Sequence, residues 1–263
     1  MRILPTLLLF PLLPLILLTA PARAADTTVR IAFGESLEPY INHDGQSGLE
    51  VDIIRAALSE RGLFLKPLTV SQPRLGKALL QTDVDGVATV LPESYPKAAF
   101  SDVYIHYEDV AIVLADSHIR LDSIADLARY RVLAFPMARQ YLGPEFAAMA
   151  NANPRYAEAA NQIDQNRLLY RGAIDVVVAD RNIFAGMDQK LRQTYLESPA
   201  LVKEYHLFVR IPYRIAFKND RLRNEFNQGL QAIQRNGVYQ KLTRRFRLQS
   251  ESNSPMETQA PPR

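Results

Sequence analysis

Cysteine is absent from the 263 residues of the chain. Its absence excludes disulfide bonds, and it also excludes a lipid anchor attached to a cysteine behind an export signal. Stability therefore has to come from buried apolar side chains, and a chain of this length can supply one or two packed cores. A small secreted scaffold held by disulfides is excluded, and a soluble protein of the bacterial periplasm fits better.

An excess of charge of one sign is lacking as well. The chain has 31 Lys and Arg against 28 Asp and Glu, which gives a formal net charge of +3. Arg2 and Arg23 lie in the N-terminal leader described below, so the rest of the chain is close to neutral. This balance gives no electrostatic reason for binding nucleic acid, and we expect no nucleic-acid partner.

Motifs of catalysis and of metal binding are missing. The chain has no Gly-x-Ser-x-Gly, no phosphate-binding glycine loop and no His-Glu-x-x-His. The four histidines, His43, His106, His118 and His206, do not show metal-ligand spacing. We therefore expect no cofactor, no metal ion and no enzyme activity.

A long unbroken apolar run is lacking too, although the first 24 residues are rich in Leu and Ile. Arg2 precedes this stretch, three prolines interrupt it, and Ala22-Arg23-Ala24 ends it as a cleavage site. The pattern predicts a signal peptide, residues 1–24, cleaved after Ala24 and directing the chain to the periplasm. A transmembrane anchor is the alternative, which the prolines and the absence of a stop-transfer cluster disfavour.

Strand and helix patterns alternate along the rest of the chain. Residues 29–33, VRIAF, are typical of a strand, and Ser47-Gly48-Leu49-Glu50 matches the capping box of a helix that ends at Gly62. Further strands are predicted at FLKPLTV, GVATVL, RVLAFP and AIDVVVAD, and helices at RLGKALLQTDV, SIADLARY, EFAAMANAN and NQIDQNRLLYRG. The alternation indicates two α/β units in series with largely parallel sheets.

Two longer apolar strands, EDVAIVLAD and VRIPYRIAFK, flank the second of these units. They are candidates for crossings between two lobes. A helical segment, 224–246, then closes the folded part of the chain. The remaining residues lack any apolar period and are predicted to form a disordered tail, 248–263.

Four stretches resemble the bacterial extracellular solute-binding proteins of family 3, the periplasmic proteins of polar amino-acid uptake. SGLEVDIIRAAL is similar to the helix start of that family, and AAFSDVY to its Phe-Ser-x-x-Tyr turn. LLQTDVDGVATV resembles its Leu-x-x-Gly-x-x-Asp segment, with Thr82 or Asp83 where glycine is usual. The closing stretch IAFKNDRLRNEFNQGLQAIQRNGVYQKL is the most specific of the four.

The resemblance implies a type II periplasmic binding protein fold, with two α/β lobes joined by two crossing strands. Lobe 1 would comprise residues 25–112 and 213–247, and lobe 2 residues 113–212. A small polar solute, an amino acid or a related amine or acid, would be captured between the lobes by a monomeric protein and delivered to an inner-membrane ABC permease. Physical reasoning agrees on the place, because ligands of open α/β sheets bind outside the carboxyl ends of the strands.

The predicted strand AIDVVVAD has a charged pair, Asp180-Arg181, at such a carboxyl end. The resemblance places Asp180 at the family position whose carboxylate commonly holds the α-ammonium group of the ligand. The alternative is that Asp180 caps the helix that follows it. The sequence is consistent with both roles.

Two features of the family pattern are replaced in this chain. Ser94 stands where the family has the arginine that forks onto the ligand carboxylate, and Pro136-Met137-Ala138 replaces a Gly-Thr-Thr loop that supplies hydroxyl donors. Arg74 and Arg139 are candidate substitutes for the missing arginine, with solvated surface positions as the alternative. Both replacements weaken the inference to a standard L-amino acid and leave the solute unspecified.

The first strand-to-loop turn contributes further candidates for the cleft. Phe33 and Tyr40 are candidates for an apolar wall, with ordinary core packing as the alternative, and Glu35 follows in the same turn. A second hypothesis is a dehydratase-like periplasmic enzyme on the same fold, with Asp180, Glu35 and Glu38 as proton carriers. A third is a solute-loaded partner of a membrane sensor.

Overall fold

The computed structural model describes residues 27–251, except for Glu35, Ser36, Thr82, Glu93, Ser94 and Ala160. The predicted signal peptide and residues 252–263 of the predicted tail lie outside the described residues. The same holds for two candidate site residues, Glu35 and Ser94.

The strands are β1 (Thr27–Gly34), β2 (Leu63–Val70), β3 (Gly86–Val90), β4 (Ala99–Phe100), β5 (Ile105–Tyr107), β6 (Asp109–Leu114), β7 (Val132–Ala134), β8 (Tyr156–Glu158), β9 (Val176–Asp180), β10 (Val202–Tyr205) and β11 (Ile211–Phe217). The helices are α1 (Leu49–Ser59), α2 (Gln72–Ala78), α3 (Ala138–Tyr141), α4 (Gly143–Ala152), α5 (Gln162–Tyr170), α6 (Arg181–Thr194), α7 (Asp220–Arg235) and α8 (Val238–Glu251). A short 3-10 helix spans Ile124–Arg129.

The first sheet has the strand order β2-β1-β3-β11-β4, and β5 also pairs with β11. β1 runs parallel to β2 and β3, whereas β11 runs antiparallel to its neighbours. Helices α1 and α7 pack on one face, and Leu75 and Ala78 of α2 pack on the other. We call this sheet with α1, α2, α7 and α8 the first lobe.

The second sheet has the order β10-β6-β9-β7-β8 and is covered on both faces as well. Val176 and Val178 pack in one core with α4, while Val177 and Ala179 pack in another with α5 and α6. A strand buried on both faces needs successive apolar residues rather than alternation, which explains the run VVVA. We call this sheet with α3, α4, α5 and α6 the second lobe.

The chain passes between the two sheets at Glu108 and again at residues 206–210. β6 belongs to the second sheet and β11 to the first, so the connections precede these two strands. The Glu108 carboxylate contacts both His206, at 3.2 Å, and Arg210, at 3.0 Å, and so joins the two connections. The predicted two-lobed α/β fold is confirmed, with sheets that are mixed rather than largely parallel.

The capping box predicted at Ser47-Gly48-Leu49-Glu50 is not formed. Gly48 occupies the N-cap of α1 at a φ of 116°, and no side chain caps this helix. The Ser47 hydroxyl contacts Asp44, and the Glu50 side chain is fully buried. The prediction was wrong because Glu50 finds its hydrogen-bond donors in distant strands rather than at its own helix end.

The C-terminal helical segment consists of two helices rather than one. Gly237, at a φ of 84°, separates α7 from α8, in a conformation that residues with a side chain rarely adopt. α8 continues to Glu251, so the first four residues of the predicted tail are helical. In the described part of the chain, no helix is long and apolar enough to cross a membrane.

Gly229 marks the closest approach of α7 to α1. A Cβ atom at this position would lie 1.9 Å from the carbonyl oxygen of Ala57. Gly76 of α2 is a matched contrast, because a Cβ atom there would meet nothing within 4 Å. The first glycine is therefore required by packing and the second is not.

We predict opposite effects of alanine at these two glycines. Gly229→Ala forces the two helices apart and should lower the free energy of unfolding by about 1 to 3 kcal/mol. Gly76→Ala removes conformational freedom from the unfolded chain and should raise that free energy by about 0.5 to 1 kcal/mol. Urea unfolding measures both. A gain of stability in both variants would contradict the packing of α7 on α1.

Candidate functional site

A cavity of about 430 Å³ lies between the two sheets. Gly34, Thr89 and Tyr213 line it from the first lobe, and Asp109, Asp180 and Ile183 line it from the second. Asp180 is the last residue of β9, so the cavity lies at the carboxyl end of that strand. This is the place that open α/β sheets offer to a ligand.

Asp180 is buried and bonded to four donors. Its Oδ1 accepts hydrogen bonds from the backbone N–H groups of Asn182, at 2.9 Å, and Ile183, at 3.0 Å, so Asp180 is the N-cap of α6. Its Oδ2 accepts from the backbone N–H of Glu108, at 2.8 Å, and from the Tyr40 hydroxyl, at 3.2 Å. Burial raises the pKa of Asp180 to about 6, against the lowering effect of these donors.

Tyr40 connects the two lobes behind the cavity. Its ring stacks on Tyr107 of β5, with centroids 4.0 Å apart, and on Phe246 of α8, at 5.1 Å. Its hydroxyl donates to Asp180 and accepts a 2.9 Å hydrogen bond from the Asn182 side chain. Tyr40 therefore joins the end of β9 to the first lobe.

Glu50 of α1 forms a buried network below the cavity. Its carboxylate accepts hydrogen bonds from the hydroxyl groups of Thr89, Tyr104 and Tyr107, the Tyr104 bond being 2.7 Å long. Burial raises the pKa of Glu50, and the three hydroxyl groups oppose this rise. Thr89 and Tyr107 also line the cavity, so the network fixes two groups that a ligand would meet.

Asp109 lies directly opposite Asp180 in the antiparallel pair of β6 and β9. Its side chain lines the cavity, and the residue is only 4% exposed. Burial, and secondarily the charge of Asp180, raise the pKa of Asp109 well above its ordinary value. Two acidic side chains of adjacent strands thus form one wall of the cavity.

Neither substitute arginine lines the cavity. Arg74 is exposed on α2, although its neighbour Leu75 is a lining residue. Arg139 is also exposed, where its guanidinium donates to Asn151 at 3.0 Å and lies 5.1 Å from the centre of the Tyr156 ring. Their surface positions agree with the alternative given above for both arginines.

The other described candidates, Phe33, Tyr40 and Met137, do not line the cavity. Phe33 is fully buried in the core of the first lobe, as is Tyr40 apart from its hydroxyl bonds. Met137 has a φ of 66°, and its backbone N–H donates to Glu158 at 2.8 Å. Phe135 and Pro136 of the same loop do line the cavity, with apolar surface in place of the hydroxyl groups of the family loop.

Asp109, Thr89, Tyr107 and Tyr213 are lining residues that sequence reasoning did not single out. Asp109 offered one signal, an acid at the start of the apolar run VAIVL. The three hydroxyl residues offered none, because they belong to ordinary strand patterns. Among the described residues, no cluster of three or more His, Asp or Glu side chains could hold a metal ion.

Comparison with known proteins points to one family. The profile of the bacterial extracellular solute-binding proteins, family 3, matches residues 29–249. A comparison with curated protein sequences finds no match.

Solved structures of the same fold are numerous. An ancestral arginine-binding protein bound to arginine has a TM-score of 0.67 and 20% identity, over 83% of this chain and 97% of that chain. A histidine kinase sensor domain with similarity to periplasmic binding proteins has a TM-score of 0.68 and 17% identity, over 84% and 96%.

An ancestral amino acid-binding protein described as a precursor of cyclohexadienyl dehydratase has a TM-score of 0.63 and 20% identity, over 83% of this chain and 94% of that chain. At such identities the structural likeness shows the fold alone, and the family profile covers most of the chain. The chain belongs to the bacterial extracellular solute-binding proteins, family 3.

Proposed function

We propose that the protein captures one small polar solute in the cavity between its lobes, as the binding component of an ABC uptake system in the periplasm. The observation that carries this proposal is the cavity itself, which lies at the carboxyl end of β9 and is walled by buried acidic and aromatic side chains of both lobes. An amino acid or a related amine or acid is the solute class, and a relative of the same fold is bound to arginine.

The lobe arrangement supports capture by closure. Two connections join the lobes, one at Glu108 and one at residues 206–210, and segments of this kind can act as hinges. We place lobe 1 at residues 25–112 and 213–247 and lobe 2 at 113–212, within a few residues of these connections. The Tyr40 hydroxyl bonds to Asp180 and Asn182 are contacts that a closed form would keep.

Partner and location follow from the same proposal. The signal peptide would direct export and be cleaved after Ala24. The mature monomer would then bind an inner-membrane ABC permease transiently. A sensor partner is the second candidate, because a histidine kinase sensor domain shares the fold over most of this chain. A dehydratase-like enzyme would need a proton carrier in the cavity, and Asp180, with a pKa raised to about 6 by burial, is the group that could serve.

Thermal melting against a panel of amino acids, amines, short peptides and organic acids tests the proposal. A solute present at about 100 times its dissociation constant should stabilise the exported protein by about 2.7 kcal/mol. Saturable binding without conversion of the solute is the expected result. Turnover of a bound compound would favour the enzyme, and the absence of any stabilising solute would contradict the proposed function.

The two expected roles of Asp180 are to cap α6 and to bind the solute directly. We propose that its carboxylate mainly positions the start of α6 and the Tyr40 hydroxyl at the cavity, since four donors already occupy it. Asp180→Asn replaces one acceptor oxygen by a donor and should lower the free energy of unfolding by about 1 to 2 kcal/mol. Asn219→Ala, which removes the cap of α7 in the first lobe, is the control that should lower stability and leave solute affinity unchanged. Intact stability of Asp180→Asn combined with weakened binding would instead make Asp180 a direct ligand of the solute.

The raised pKa of Asp180 predicts a pH dependence of stability. A carboxyl group whose pKa is about 6 in the folded protein and about 3.8 ordinarily stabilises the fold below pH 4, and this contribution is lost as the pH rises through 6. Stability of the ligand-free protein should therefore fall between pH 5 and pH 7. Urea unfolding at these two pH values should show a smaller difference for Asp180→Asn, and an equal difference in both proteins would exclude Asp180 as its source.

A further inference from the structure

Asp109 differs from the other buried acids in having no hydrogen-bond donor. Glu50 is bonded to three hydroxyl groups, Asp180 to four donors, and Asp188 of α6 to the side chains of Asn166 and Tyr170. In the described part of the chain, no donor and no basic side chain lies within bonding distance of the Asp109 carboxylate. A buried carboxylate in this state costs free energy unless another group supplies what the protein does not.

The open side of Asp109 faces the cavity. The residue is 4% exposed and lines the space between the lobes, so a molecule in that space would meet its carboxylate. Tyr213 lines the same space, is 6% exposed and interacts electrostatically with Asp109. Its hydroxyl group also has no hydrogen-bond partner among the described residues. Two polar side chains from different lobes thus line the same space.

The rest of the wall favours a cation over an anion. Tyr107, Tyr141 and Tyr195 line the cavity as well. The ring of Tyr107 stacks on Tyr40, and that of Tyr195 lies 4.2 Å from the Arg167 guanidinium, so the preference for a cation comes from the acidic residues. Lys190 is the one lysine or arginine among the described lining residues, and its ammonium group lies 3.9 Å from the Glu38 carboxylate. Asp109 and Asp180 therefore have no basic partner among the described residues, and a bound cation would favour the ionised forms that burial disfavours.

We infer that the carboxylate of Asp109, assisted by the Tyr213 hydroxyl, binds the cationic group of the solute, an ammonium or a guanidinium. This inference rests on the proposed function and adds the chemical class of the solute to it. A cation would gain a charge-assisted hydrogen bond in a site shielded from water, where such bonds are strongest. Asp180, whose acceptors are occupied, supplies negative charge behind Asp109 without contacting the solute.

Calorimetric titration with three aliphatic probes tests the inference. Cadaverine and L-lysine share an aliphatic ammonium group and differ in the carboxylate, and glutarate carries carboxylates alone. Binding of either cationic probe is expected, and the stronger of the two identifies the solute as an amine or as an amino acid. Asp109→Asn should weaken that binding by about 10- to 100-fold, the loss expected for one hydrogen bond to a charged partner.

Asp188→Asn is the matched control, because Asp188 is a buried acid of the same lobe that does not line the cavity. It should leave the dissociation constant within about twofold while lowering the melting temperature, since the bonds that Asn166 and Tyr170 donate to a charged Oδ1 would then go to a neutral amide oxygen. Ligand-free Asp109→Asn should melt at or above the temperature of the wild type, because an unsatisfied carboxylate is removed.

Three results would overturn the inference: binding of glutarate alone, unchanged affinity of Asp109→Asn, or a melting temperature of ligand-free Asp109→Asn as low as that of Asp188→Asn. Each of them leaves solute capture by the cavity standing. Failure of every compound in the wider panel to stabilise the protein refutes the proposed function instead, so the two failures are distinguishable.

Discussion

Burying a carboxylate is costly unless hydrogen-bond donors replace the water that it loses, and this constraint organises the region between the lobes. Glu50 draws Thr89, Tyr104 and Tyr107 toward the start of α1. Asp180 holds the first turn of α6 and the Tyr40 hydroxyl. Because these donors come from both lobes, satisfying the acids also fixes the relative positions of the elements that surround the cavity.

The secondary structure was largely predictable, because it depends on local periodicity. Strands buried on both faces appear as apolar runs such as VVVA, and their alternation with helices indicated two α/β units in series. The two-lobed arrangement of these units was implied by the family resemblance. The errors lie where partners are distant in the chain. Glu50 fits a capping box locally, yet its donors lie 39 to 57 residues away. Arg74 and Arg139 are predicted for their chemistry alone, and their role in binding stays a prediction. Their exposed positions could not be inferred from the sequence.

Family membership locates the cavity but does not determine its chemistry. The match at Asp180 places that residue in the cavity wall, as the resemblance implies, while its four internal bonds provide the cap that the same sequence also allowed. The resemblance implies that the family arginine and hydroxyl loop are replaced, and Phe135 and Pro136 of that loop line the cavity. The recognition groups of this chain therefore have to be found from its own polar side chains at the cavity, among which Asp109 is 4% exposed.

Charge and lobe arrangement are coupled at this site. Asp109 follows the Glu108 connection directly, and the backbone N–H of Glu108 donates to Asp180, so both acids of the wall are fixed at the point where the chain enters the second lobe. Tyr213 lies two residues after the start of β11, just beyond the other connection. A group that bridges Asp109 and Tyr213 would therefore contact both lobes, close to the two connections between them. Because such a contact would lie near the connections, its length would change little in a rotation of the lobes about them.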